Sequence, residues 1–168
     1  MIIEMGYLFN RNGATLPVEL VEQIDDAKDY PDVVEFAEPV KIEGTLKNED
    51  DVFVLDAKGE TAVLMECSCC LAPVRKELCF EIKERFAHPG RENEETETFT
   101  GDQIDLADFV KRGIIGELPM KVLCREDCKG LCPVCGKDLN EGDCGCDRTI
   151  RDPRFESLRA LFSDDEEV

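Results

Sequence analysis

Ten cysteines stand out in the 168-residue chain, and their spacing is uneven. Three lie together at Cys67, Cys69 and Cys70, Cys79 stands alone, and six fall between Cys124 and Cys146. The strongest pattern is Cys132-Pro133-Val134-Cys135-Gly136 followed by Cys144-Gly145-Cys146. Two intervening residues let one tight turn aim both thiolates at an ion about 2.3 Å away, with Gly136 free to take a positive φ. Cys144 and Cys146 add two sulfurs across a second turn, completing a tetrahedron. A thiol redox pair and an iron–sulfur cluster are the alternatives to zinc, but redox C-x-x-C pairs normally begin a helix after a strand. Pro133, Gly136 and the two further cysteines indicate a zinc knuckle. Catalytic zinc keeps an open position and mixes ligand types, whereas an all-sulfur shell is closed and structural.

Cys67 with Cys70 and Cys124 with Cys128 offer four more sulfurs. They make a second all-cysteine site if the two segments touch, although Cys128 is also open to replacing a knuckle ligand. One zinc ion is expected, with room for a second. Residues 121–155 contain few large apolar side chains, and a structural zinc site contributes on the order of 10–16 kcal/mol at neutral pH.

Other chemistry finds little support. The sole histidine, His88, falls in a Glu- and Thr-rich stretch, and no glycine-rich phosphate loop is present. The expectation is a protein that is not an enzyme and has no small-molecule substrate. No apolar run approaches the roughly 18 residues of a membrane span, and the first residues lack an export signal, so a cytoplasmic protein with metal-bound or reduced thiols is expected.

These cysteines must be carried by a sheet. Alternation over Val40, Ile42, Gly44 and Leu46, then over VFVLDAKGETAVLMEC, predicts strands with a hairpin turn at Lys58-Gly59. Alternation resumes in VRKELCFEIKERF, so the Cys67–Cys70 turn joins neighbouring strands. Cys79 there is expected to be chemically inert. Leu16, Leu20 and Ile24, spaced by four, predict a helix in PVELVEQIDDAKD with Pro17 near its start. A second helix is predicted from Ile104 to Gly113 with Asp105 as N-cap, and a third from Asp152 to Phe162. The fold class is α+β: mainly antiparallel sheet, a few helices and a C-terminal Cys-rich zinc-knuckle module. Residues 1–120 form the β-rich domain with a mobile acidic loop at 88–101. Residues 121–162 form the cysteine module and docking helix, and 163–168 an acidic tail.

The net charge of −19 is concentrated outside the cysteine module: residues 1–120 carry 12 basic and 27 acidic groups, residues 121–155 seven of each. So negative a surface disfavours broad nucleic-acid binding and favours basic protein partners. Lys129, Lys137, Arg148, Arg151 and Arg154 in the module are a candidate contact patch for RNA or a partner.

The ordered set CSCCL, IDLADFV to LP, CREDCKGLCPVCGKDLNEGDCGC and DPRFESLRALF resembles the YceD family, described as large ribosomal RNA subunit accumulation proteins, over roughly residues 36–162. The family's upstream motif is usually C-x-R-C-L, and here Cys69 stands where that arginine is expected. Some members keep the upstream pair without the C-terminal cluster. The resemblance implies a non-catalytic role in 23S rRNA accumulation or processing and in large-subunit assembly, with the pre-ribosomal large subunit, 23S rRNA or a basic ribosomal protein as partner. Two rivals remain: an acidic chaperone for a basic ribosomal protein, and a zinc reservoir or thiol sensor.

Overall fold

The structure, a computed structural model, describes residues 1–148. In chain order the elements are β1 (Ile2–Glu4), β2 (Thr15–Glu22), β3 (Val33–Phe36), β4 (Val40–Glu49), β5 (Val52–Glu66), β6 (Pro73–Ala87), β7 (Glu97–Thr98), β8 (Gln103–Asp105) and α1 (Ala107–Glu117). The chain divides into a first unit, Met1–Cys124, and a second that begins at Arg125.

In the first unit the main sheet runs β2-β4-β5-β6-β7, with β3 paired to β5 beyond the end of β4. β1 and β8 form a separate antiparallel pair. β5 and β6 pair antiparallel over 15 residues each, from Val52 opposite Ala87 to Glu66 opposite Pro73. Each long strand turns alternate side chains inward, so Phe53, Leu55, Met65, Leu78, Phe80, Ile82 and Phe86 share one buried face. Val110 and Ile114 of α1 join that core, and Phe109 meets Phe86 edge to face at 5.2 Å between ring centres.

The mainly antiparallel sheet expected from the sequence is present, but four local expectations are corrected. The residues read as an N-terminal helix form β2 instead. Leu16, Val18 and Leu20 also recur with period two, and pairing to β4 decides in favour of a strand. Pro17 is accommodated because β2 lies at the sheet edge, bonded among the described strands only to β4.

The hairpin turn is not at Lys58-Gly59, which lies inside the unbroken strand β5. It is at Asp50-Asp51, whose φ angles of 54° and 66° are those of a two-residue hairpin loop. Asn48 fixes that turn from inside: its amide donates to the Leu8 carbonyl at 2.8 Å and accepts the Asp51 N–H at 2.9 Å. Gly59 is needed for packing, because a Cβ there would collide with the Phe80 ring.

Residues 88–101 are not simply an acidic loop, since they carry β7, which pairs parallel with the end of β6. Phe99 is buried there, 5.6 Å from Phe53 and 4.2 Å from His88 between ring centres. Among the described residues α1 is the one helix, and it begins at Ala107 rather than at Ile104. Ile104 and Asp105 belong to β8, and the N-cap is Leu106, while the Asp105 carboxylate accepts the Ala107 N–H at 2.9 Å. The helix expected over 152–162 and the tail at 163–168 lie outside the described residues.

Candidate metal centres

Among the described residues, cysteine sulfurs come close enough to hold a metal ion in two groups. In the second unit the sulfurs of Cys132, Cys135, Cys144 and Cys146 all lie within 4.8 Å of one another. Four sulfurs at about 2.3 Å from one ion sit about 3.8 Å apart, so this set fits a tetrahedral thiolate centre. The turn that presents the first pair is closed twice. Gly136 N–H donates to the Cys132 carbonyl at 2.8 Å, and Cys132 N–H donates to the Lys137 carbonyl at 2.8 Å. Gly136 has φ 73°, the left-handed conformation such a closure requires. A bridge between Leu131 and Asp138 seals the base, and Gly145, at φ 70°, bends the chain between the second pair.

Backbone N–H groups of Cys135 and Val134 aim at the Cys132 sulfur and lower its pKa to about 6. Hydrogen bonds from Cys146 to the Cys135 and Cys144 sulfurs hold its own proton, pushing that thiol up to about 12. One sulfur is thus readied as a thiolate, while four negative charges cannot share the space without a cation.

The first unit presents a turn of the same construction between β5 and β6. Leu71 N–H donates to the Cys67 carbonyl at 2.9 Å, and Cys67 N–H donates to the Ala72 carbonyl at 2.8 Å. These are the two closures of the Cys132 turn, residue for residue. Leu71, at φ 60°, occupies the position of Gly136. The Cys69 and Cys70 N–H groups lower the Cys67 thiol to about 6, as their counterparts do for Cys132. Cys124 is delivered to this turn by the segment after α1: its N–H donates to the Cys67 sulfur at 3.4 Å, and its own sulfur lies 3.5 Å from that of Cys70. Cys67 and Cys70 are buried. Sequence reading paired Cys67 with Cys70 by spacing but did not see the second knuckle, because a leucine stands where its glycine would be.

Cys128, near the start of the second unit, accepts a hydrogen bond from the Asn140 amide at 3.4 Å, and Asn140 also accepts the Lys129 N–H at 2.9 Å. Asn140 was not foreseen; nothing in its local sequence marks it as a partner of a cysteine 12 residues away. Cys69 is half-buried, and Cys79 is exposed on β6 opposite Glu60. His88 sits between the rings of Phe9 and Phe99.

Of the five basic residues singled out, Lys129 and Arg148 line one shallow depression with Leu139 and Asp143. Arg148 is ion-paired to Asp143, and Lys137 Nζ donates to the Asp143 carbonyl at 3.4 Å. The Asp143 charge, followed by those of Cys144 and Cys132, raises the Arg148 pKa above its ordinary value. Arg151 and Arg154 lie outside the described residues.

A family model described as "Large ribosomal RNA subunit accumulation protein YceD" matches residues 55–162. The protein Rv2926c of Mycobacterium tuberculosis is 37% identical over 99 residues, covering 55% of this chain and 47% of its own length. YlbN of Bacillus subtilis is 30% identical over 138 residues, covering 77% of each chain. The chain thus spans about half the length of the mycobacterial relatives it matches. No solved structure matches it. Both cysteine turns fall inside the matched residues, and the chain belongs to the YceD family.

Proposed function

We propose that this protein is a non-catalytic ribosome biogenesis factor that supports 23S rRNA accumulation or processing and large-subunit assembly in the cytoplasm. The observation that carries the proposal is the family match across residues 55–162, whose description names large-subunit rRNA accumulation. Among the described residues no helix is long and apolar enough to cross a membrane. The cysteine groups then have a structural task. Cys132, Cys135, Cys144 and Cys146 hold one zinc ion, since an all-thiolate tetrahedron suits zinc and leaves no open position for a substrate. Cys67, Cys70 and Cys124 belong to a second centre, and Cys128, four residues beyond Cys124 in the chain, is assigned as its fourth ligand by that spacing.

Zinc at these turns would neutralise the thiolates and lock loops that lack an apolar core of their own. Lys129, Lys137, Arg148, Arg151 and Arg154 are the groups proposed to meet rRNA or a partner. In a strain lacking the protein, 23S rRNA should fall relative to 16S rRNA and free large subunits should be depleted in gradient profiles. Normal rRNA levels and profiles would overturn the assignment. Two zinc ions per chain are expected by elemental analysis, and one would remove the second centre.

A further inference from the structure

Beside the Cys67 turn the first unit has an open groove of about 490 Å³ whose apolar walls include Val34, Met65, Leu71 and Met120. Met120 is fully exposed, and Val34 and Leu71 are more than half exposed. Three large apolar side chains held in water around one concavity are unlike the scattered exposure of ordinary surfaces. Leu71 adds a second peculiarity. Its φ of 60° is a conformation that bulky side chains rarely adopt, and the equivalent position of the other cysteine turn has glycine. A strained leucine projecting into solvent, where glycine would close the same turn, points to a use for its side chain.

The charge lining the groove is of one sign. Asp32 and Glu66 are its charged lining residues, and neither has an ion-pair partner among the described residues. The segment 19–38 leading into it has eight acidic residues and one lysine. Four of those acids are already engaged elsewhere, Glu22 with the Met1 amino group, Asp26 with Lys28, Asp29 with Lys111 and Glu38 with Arg75. The wall is formed partly by β3, which pairs with β5 and with no other described strand. One of its edges is therefore open to an added strand.

We infer that this groove binds an extended segment of a basic protein, in which apolar residues alternate with Lys or Arg. The segment adds to the edge of β3, its apolar side chains reach Val34, Leu71 and Met120, and its basic side chains meet Asp32 and Glu66. An RNA strand is a poor occupant, because its phosphates would face two unpaired carboxylates. The inference names a partner class for the binding role proposed above and rests on it only in taking the chain to act by binding.

The test uses the full chain and a fluorescent eleven-residue peptide alternating lysine with valine, followed by anisotropy. Controls are the same peptide with glutamate for lysine, its composition rearranged to helical spacing, and a single-stranded RNA oligomer. The alternating basic peptide should bind, more weakly at high salt, and its affinity should fall roughly tenfold in Met120→Ser and in Leu71→Gly. Leu71→Gly is suited to its own backbone, so loss of binding there does not report misfolding. Absence of binding, equal binding of the acidic peptide or of the helical-spacing peptide, binding of RNA alone, or indifference to both substitutions would each overturn the inference. Failure of the rRNA assay would leave peptide binding intact, and failure of peptide binding would leave the family role intact.

Discussion

Ser68 and Val122 are joined by two hydrogen bonds: Ser68 N–H donates to the Val122 carbonyl at 2.8 Å, and the Ser68 hydroxyl accepts the Val122 N–H at 3.1 Å. Ser68 is inside the Cys67–Cys70 turn, and Val122 is two residues before Cys124. The pair therefore sets where the third sulfur arrives, although the residues are 54 apart in sequence. Ser68→Ala removes the hydroxyl acceptor, leaves the Val122 N–H unmatched and should cost about 1 kcal/mol. Zinc release from the centre at Cys67, Cys70 and Cys124 to a chelator should become several-fold faster, as outer hydrogen bonds to metal sites predict. Release from Cys132, Cys135, Cys144 and Cys146 should be unchanged. Equal rates in Ser68→Ala and the unaltered protein would show that the turn holds its shape without this bond.

The Phe80 ring is gripped between two glycines, Gly59 on β5 and Gly113 on α1, where a Cβ on Gly113 would come 2.5 Å from ring atom Cδ2. Gly113→Ala should destabilise the first unit by about 1–3 kcal/mol through overpacking, despite the better helix propensity of alanine. Gly116, on the same helix, has nothing within 4 Å of its would-be Cβ. Gly116→Ala should stabilise by about 0.5–1 kcal/mol. Chemical denaturation of the two variants should move the midpoint in opposite directions.

Asn48 is buried in β4 and bridges the Leu8 carbonyl and the Asp51 N–H. Asn48→Ala leaves both groups without that partner, and the loss should be about 2–4 kcal/mol. Near-ultraviolet circular dichroism and denaturation should show the sheet weakened at unchanged zinc content, because no proposed ligand is near this turn in sequence.

The sheet between residues 40 and 87 was legible because β4, β5 and β6 bury alternate residues, and that periodicity survives in the sequence. What misled were positions with two meanings. Leu16, Leu20 and Ile24 satisfy a helical spacing, but Leu16, Val18 and Leu20 also satisfy a strand, and only pairing with β4 separates the two. Gly59 reads as a turn, yet it is an empty place for the Phe80 ring. The true turn uses two aspartates at positive φ, which composition does not distinguish from any acidic pair. At the candidate sites, cysteine spacing carried the Cys132 turn fully, since proline and glycine frame it. The equivalence of the Cys67 turn was hidden by Leu71, and the supporting roles of Ser68 and Asn140 depend on contacts across 54 and 12 residues.

The two cysteine turns share their backbone closures but differ in what surrounds them, and that difference decides how each responds to losing a ligand. Cys67 and Cys70 end two long paired strands that bury their own apolar face. Cys132 and Cys135 sit in a segment whose described elements are turns and one isolated bridge. Cys135→Ser should therefore remove one zinc ion and abolish hydrogen-exchange protection of the Cys132, Gly136 and Leu139 amides, while β4, β5 and β6 keep theirs. Accumulation of 23S rRNA should fall in a strain carrying the variant. Cys79→Ser is the contrasting change, since that thiol is exposed on β6 and outside both groups. It should shift stability by no more than about 0.5 kcal/mol and leave zinc content unaltered. Full zinc content and intact amide protection in Cys135→Ser would show that the second unit holds its turns without a metal, and would remove Cys135 from the ligand set.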